Sequence, residues 1–190
     1  MKTIFRRLLV VSVVLYLCGT VLGGIGLGWI ALHPPSHGIT AREITTVQAL
    51  AAADSAKLID SSISARDGVV LKAWFFQPQS GTRDLVILLH GVSDNRLGMN
   101  GYGRWLLSKN YAVLLPDARA HGLSGGLASY GLNESDDIHL WVDWLEKNYH
   151  PRCVYALGES MGAAQLLQAL AKERRFCAVV ANRRLQLSER

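Results

Sequence analysis

The sequence predicts an α/β fold: a mostly parallel sheet with helices on both faces, entered through an N-terminal antiparallel hairpin and preceded by one transmembrane helix. Three observations carry this. Residues 8–32 contain no charged side chain. Two β-rich runs flank Asp67-Gly68, a tight-turn dipeptide. Beyond them, short continuous apolar runs alternate with helix-period segments, the order that gives parallel strands and crossover helices.

The first stretch, "LLVVSVVLYLCGTVLGGIGLGWIAL", is Leu8–Leu32. As a helix it spans roughly 37 Å, against about 30 Å of hydrocarbon, so it can cross a lipid bilayer with some tilt. Lys2, Arg6 and Arg7 precede it, and Arg42 is the next basic residue. The positive-inside rule then makes residues 1–7 a cytoplasmic basic tip, residues 8–32 a single-pass anchor, and the remainder extracytoplasmic. A cleaved signal peptide is the rival reading, but the run is long for one and no A-x-A site follows. Cys18 follows the bulky Leu17, which does not fit a lipoprotein cysteine. Residues 33–55 open with "HPPSHG" and read as a stiff linker, with His33 and His37 solvated.

Residues 56–76 read as two strands around the Asp67-Gly68 turn. "DLVILLH" (84–90) is a strand covered on both faces. "GYGRWLLSKNY" (101–111) has helical spacing, with Trp105, Leu106 and Leu107 on one side. "AVLLPD" (112–117) is a further buried strand. "SDDIHLWVDWLEKNY" (135–149) is an amphipathic helix with Ser135 as its cap and Ile138, Trp141, Val142 and Leu145 as its stripe. "CVYALGE" (153–159), a helix over 161–173 and "CAVVA" (177–181) complete the series. Cys153 and Cys177 lie in apolar strand-like runs and read as small buried residues rather than as a disulfide or metal site.

Hydrophobic residues make up 49% of the chain, enough for a sizeable core once the anchor is set aside. The net charge of +5 is gathered at the two ends. Lys2, Arg6 and Arg7 stand at one, and Lys172, Arg174, Arg175, Arg183, Arg184 and Arg190 at the other. No basic stripe interleaved with aromatics runs between them, which argues against a nucleic-acid partner. No metal or cofactor motif is present.

Chemistry concentrates at Gly158-Glu159-Ser160-Met161-Gly162, a G-x-S-x-G between a predicted strand and a predicted helix. A sharp turn there lifts the serine clear of the sheet. Gly158 and Gly162 are brought close together, where a Cβ would clash. The helix N-terminus aims free N–H groups at the place where an oxyanion would develop. Two more segments follow the same strand-end logic: His90-Gly91 after the first parallel strand, and "DARAHGLSGG" (117–126) after the next. Together the three motifs resemble the α/β-hydrolase superfamily, particularly its membrane-anchored lipase, esterase and serine-aminopeptidase-like branch. The resemblance covers residues 56–181. It implies Ser160 as nucleophile, the Val92 and Met161 N–H groups as oxyanion hole, Gly91 as turn glycine, and His90 as a structural residue. The implied substrate is a small molecule or peptide with an ester or amide acyl bond.

A serine hydroxyl needs a base, in this fold an acid and then a histidine downstream of it. Here His33, His37, His90, His121, His139 and His150 all precede Ser160, and the only acids after it are Glu173 and Glu189. His121 is the best-placed substitute, though the resemblance gives it a structural role. The expected domain is therefore the N-terminal part of the fold, inactive and lacking the triad acid and histidine. The basic tail 182–190 is aberrant where an apolar sheet should continue. Suitable codons for 182–190, read one base out of step, spell Ser-Pro-Leu-Ala-Thr-Phe-Arg-Ala, so a frame change ending a longer hydrolase is expected, with a genuine short tail as the alternative. A non-catalytic, membrane-anchored binding protein on a degraded hydrolase fold is the second functional reading. Complementation by a separately translated C-terminal piece is the third.

Overall fold

The computed structural model describes residues 2–182, and the chain divides into two units between His33 and Pro34. The first is the helix α1 (Lys2–Leu32). Its stretch Thr3–Leu32 has a mean hydropathy of 2.4 and is long and apolar enough to cross a membrane. The expected aberrant tail, apart from Asn182, lies outside the described residues.

The second unit holds α2 (Ala41–Ala53), β1 (Ala56–Ser64), β2 (Val70–Pro78), β3 (Asp84–Leu89), α3 (Asn100–Ser108), β4 (Ala112–Pro116), α4 (Glu134–Tyr149), β5 (Cys153–Glu159), α5 (Met161–Ala169) and β6 (Phe176–Asn182). The sheet order is β1-β2-β4-β3-β5-β6. β1, β2 and β4 pair antiparallel, and β4, β3, β5 and β6 run parallel. Alternate residues of the inner strands feed two cores. Leu71, Phe75, Leu85, Ile87 and Leu114 pack with Ile138, Trp141, Val142 and Leu145 of α4 and Leu166 of α5. Trp74, Phe76, Val86, Leu88, Val113 and Leu115 pack with Val47 and Ala51 of α2 and Leu107 of α3. Coverage of both faces is why β3 and β4 read as unbroken apolar runs.

This arrangement makes a topological switch between β3 and β5. β3 leads to α3 on one face and β5 leads to α5 on the other, so the chain ends of these neighbours part and leave a crevice, where open α/β sheets place their ligands.

Four expectations need correction. Residues 33–55 are not a free linker: Ser36 donates to the Ala120 carbonyl at 3.0 Å, and the Asn95 side-chain amide donates to the His37 carbonyl at 3.0 Å. The same stretch contains α2, opened by a capping box in which Thr40 Oγ1 accepts from Glu43 N–H and the Glu43 carboxylate accepts from Thr40 N–H. Trp105 does not join Leu106 and Leu107 against the core but is 60% exposed, because α3 turns Gly103, Leu106 and Leu107 to the sheet. Ser135 does not cap α4. The helix begins one residue earlier, and Ser135 Oγ donates to the Leu132 carbonyl, while the Glu134 carboxylate gathers the Ser129 N–H, Ser129 hydroxyl and Gly131 N–H. Finally, Cys153 and Cys177 form a disulfide with Cα atoms 5.7 Å apart. β5 and β6 are neighbours, so residues 24 apart in sequence meet at the strand ends. Closing a loop of that size stabilises a fold by about 3–4 kcal/mol.

The turn into β6 is held by ions. Glu173, almost fully buried, accepts from the Arg175 backbone N–H at 2.8 Å and from its guanidinium at 2.5 Å and 2.9 Å. Arg175 reaches on to Asp143 and Glu146 of α4. Burial alone would raise the Glu173 carboxyl, but Arg175, with His139 adding a hydrogen bond, outweighs it and holds the group at about 2, below its ordinary 4.5. A carboxyl depressed on folding stabilises the protein above its unfolded value and loses that contribution as pH falls through the folded one. Glu173→Gln is therefore expected to lower the urea midpoint by a constant amount above about pH 5. The gap to the unmodified protein should close as pH falls from 4.5 to about 2, followed by urea titration at each pH.

Candidate active site

β5 ends at Glu159 and α5 starts at Met161, so Ser160 alone makes the turn. Its φ of 52° and ψ of −110° are strained for a residue with a side chain. Sterics explain why the flanking residues are glycines. A Cβ on Gly158 would stand 2.5 Å from the Gly162 carbonyl oxygen and 2.6 Å from the Ala163 nitrogen. A Cβ on Gly162 would stand 2.5 Å from the Leu89 carbonyl oxygen, at the end of β3. The two glycines thus let α5 start against both strands of the switch at once.

Two backbone hydrogen bonds fix the turn from either side. Gly162 N–H donates to the His90 carbonyl at 3.1 Å, and Ser160 N–H donates to the Asn182 carbonyl at 2.9 Å. A Cβ on Gly91 would lie 3.5 Å from Ser160 Cβ, so the turn after β3 faces the serine directly. Ser160 is exposed. Val92 follows Gly91 in that turn, and Met161 is the first residue of α5. The amides of Val92 and Met161 donate to no acceptor among the described residues. Ser160, Gly91, Gly158 and Gly162 are therefore brought together at one strand end, with Met161 next to the serine in the chain and Val92 next to Gly91.

The histidines nearby are spoken for. His90 Nδ1 donates to the Gly91 carbonyl at 2.8 Å, and its Nε2 accepts the Ala118 N–H at 3.0 Å. Burial pulls this imidazole below its ordinary value, which keeps it neutral. His121 is engaged in the same manner, with Nδ1 on the Arg119 carbonyl at 2.7 Å and Nε2 facing the Ser93 N–H at 3.3 Å. His139 pairs with Glu173, and His150 ends α4 in a left-handed conformation. Among the described residues no histidine hydrogen-bonds to Ser160, and no group of three or more His, Cys, Asp or Glu converges to hold a metal.

Arg96, which the sequence analysis did not single out, joins Asp117, Arg119 and Ser124 of the 117–126 segment in the floor beneath the turn after β3. Arg96, with no exposed surface, donates to Asp117 through its backbone N–H (2.8 Å), Nε (3.0 Å) and Nη2 (2.6 Å). Its guanidinium lies 5.0 Å from the Trp74 ring centroid. Asp117 also accepts the Leu123 N–H at 2.7 Å, and Ser124 Oγ donates to the Asp117 carbonyl at 2.9 Å. Arg119 in the next loop bridges Asp67 of the β1–β2 turn and Asp137 of α4. Burial pushes the Asp137 carboxyl up against the pull of Arg119, while Arg119 draws Asp67 down. Asp117 belongs to the 117–126 motif, but nothing in the polar run "SDNRLGMN" (93–100) marks Arg96 as its partner. Their pairing, 21 residues apart, was not legible.

Beside Glu159 a cleft of about 620 Å³ opens between β5 and α3, lined by Gly98, Gly101, Tyr102, Trp105 and Leu157. Its walls are apolar, and it lies on the face where no described helix covers β5 and β6.

Removing one partner of a buried ion pair costs about 3–5 kcal/mol, because the other charge stays in low dielectric. Asp117→Ala should therefore destabilise the domain by about that much in chemical denaturation. Gly158→Ala and Gly162→Ala meet backbone rather than movable side chains. Each is expected to displace the Ser160 turn, seen as a change in the Ser160 amide resonance and loss of its exchange protection.

Comparison with known proteins agrees with this geometry. A model of the family described as "Serine aminopeptidase, S33" matches residues 80–182. The uncharacterized protein YqkD of Bacillus subtilis (strain 168) is 37% identical over 102 residues, which are 53% of this chain and 33% of that protein. The esterase Pf2001 of Pyrococcus furiosus superposes with a TM-score of 0.68 at 30% identity, over 80% of this chain and 57% of the esterase. A serine hydrolase without a lid from Xanthomonas campestris shares the fold, with a TM-score of 0.54 at 21% identity, over 60% of this chain and 56% of that one. The chain thus spans between a third and three-fifths of these relatives' lengths. It has the α/β-hydrolase fold, and it belongs to the serine aminopeptidase S33 family of hydrolases.

Proposed function

We propose that Ser160 is the nucleophile of a serine hydrolase that cleaves an ester or amide acyl bond, with the Val92 and Met161 N–H groups receiving the oxyanion. The observation that carries this reading is the strained, exposed Ser160 at the β3–β5 switch, opposed by two amides without a described acceptor. Serine attack on the carbonyl develops negative charge on its oxygen, and each donor lost from such a hole typically lowers the rate about 10²–10³-fold. The general base and its orienting acid come from groups other than those of residues 2–182, since His90 and His121 already use both ring nitrogens. Without them this chain has little triad-dependent turnover. The second reading, a binding protein on the same fold, is favoured by that same lack of an imidazole at Ser160.

The domain is held at a membrane by α1, with the N-terminus cytoplasmic and residues 34–182 outside. Two independent features support this: the basic residues Lys2, Arg6 and Arg7, and a disulfide, which persists in oxidising compartments and not in the cytosol.

A fluorophosphonate probe is expected to label this chain slowly and only at Ser160, with Ser160→Ala abolishing the label. Added imidazole, standing in for the missing base, should accelerate labelling several-fold. Tight ligand binding with no label at Ser160, with or without imidazole, would favour the binding protein. For topology, a protease added to intact cells should digest the domain and spare the N-terminal tip.

A further inference from the structure

We propose that the Cys153–Cys177 disulfide is a positioning element for Ser160. It clamps β6 to β5 at one end of the strand pair, so that at the other end the Asn182 carbonyl holds the Ser160 amide. The inference rests on reading Ser160 as the nucleophile.

β6 is the outermost strand, paired among the described residues with β5 alone. Of its side chains, Phe176 and Val179 pack against the core, while Ala178, Val180 and Ala181 are exposed. A strand with so little burial opens at low cost. Its pairing is also flawed where it begins. Val154 faces Phe176, but Tyr155 faces Ala178, leaving Cys177 as the extra residue of a bulge. The disulfide lies at that bulge, joining the first residue of β5 to the second of β6.

From there the ladder runs in register to Glu159 opposite Asn182, and the next contact is Ser160 N–H to the Asn182 carbonyl at 2.9 Å. A positive-φ serine persists only where its surroundings over-determine it. From the β3 side the determinant is the His90 carbonyl, which accepts from Gly162 N–H; His90 is itself buried and directly follows β3, buried from Leu85 to Leu89. From the other side it is Asn182, on a strand that burial barely holds. The Arg175 ion pairs, with the buried Glu173 and the half-exposed Asp143 and Glu146, fix the turn before β6, whereas the disulfide ties the strand itself covalently to β5.

The test uses the full chain in detergent micelles. Dithiothreitol reduces the bond, closing to its own cyclic disulfide and leaving two thiols at Cys153 and Cys177. Amide exchange is then read at Ser160 and along β6, with Ile87 and Leu114 as internal references, and fluorophosphonate labelling is measured in imidazole. On reduction, exchange at Ser160 and β6 should rise about tenfold or more with the references unchanged, and labelling should slow by a similar factor. Reoxidation should restore both. A Cys153→Ala/Cys177→Ala variant should match the reduced protein. Unchanged exchange at Ser160, or a rise shared equally by Ile87 and Leu114, overturns the inference. If the oxidised protein takes no label, the hydrolase reading fails, while the exchange arm still decides whether the clamp holds the turn.

Discussion

The close approach of α5 to the ends of β3 and β5 is the constraint on which the rest depends. Two glycines four residues apart make it possible: a carbon added to Gly158 of β5 would stand 2.5–2.6 Å from α5 backbone, and one added to Gly162 of α5 would stand 2.5 Å from the Leu89 carbonyl oxygen of β3. Only then can the chain reverse in a single residue, and only then does that residue project above the sheet. The cost is a serine in a conformation that a side chain disfavours. It is offset by the hydrogen bonds that Gly162 N–H donates to the His90 carbonyl on one flank and Ser160 N–H donates to the Asn182 carbonyl on the other.

Beneath the turn after β3, charge does what apolar packing cannot. Asp117 gathers the side chain and backbone of Arg96 and the amide of Leu123, and so fixes the loops after β3 and β4 against each other. His90 and His121 complete the same lattice, each ring bonding a carbonyl of its own loop and accepting an amide N–H of the other. Their rings are 5.2 Å apart, yet neither is available to take a proton from Ser160 without breaking a contact that shapes the site. An imidazole used as mortar is a poor base, and this makes the supply of a base from elsewhere a chemical necessity for the hydrolase reading.

Much of this was legible in the sequence because it rests on local spacing. The glycine positions around Ser160 follow from sterics within five residues, and the stripe Ile138, Trp141, Val142 and Leu145 follows from the helical period. The unbroken apolar runs of β3 and β4 report burial on both faces. What was missed depends on adjacency that the chain order does not state. The disulfide needs β5 beside β6, and the Arg96–Asp117 pair needs β3 beside β4. The helix α2 is a different case, since Thr40 and Glu43 at capping-box spacing were visible and two prolines nearby drew the reading toward a linker. Helical spacing alone groups Trp105 with Leu106 and Leu107, and its exposure follows from α3 meeting the sheet through Gly103, Leu106 and Leu107.

The most direct measurement is a crystal structure of the chain with Ser160 phosphonylated. The phosphoryl oxygen should sit about 2.7–3.1 Å from both the Val92 and the Met161 nitrogens, the geometry an oxyanion hole requires. An adduct whose oxygen points to solvent, with either amide turned toward another acceptor, would contradict the account.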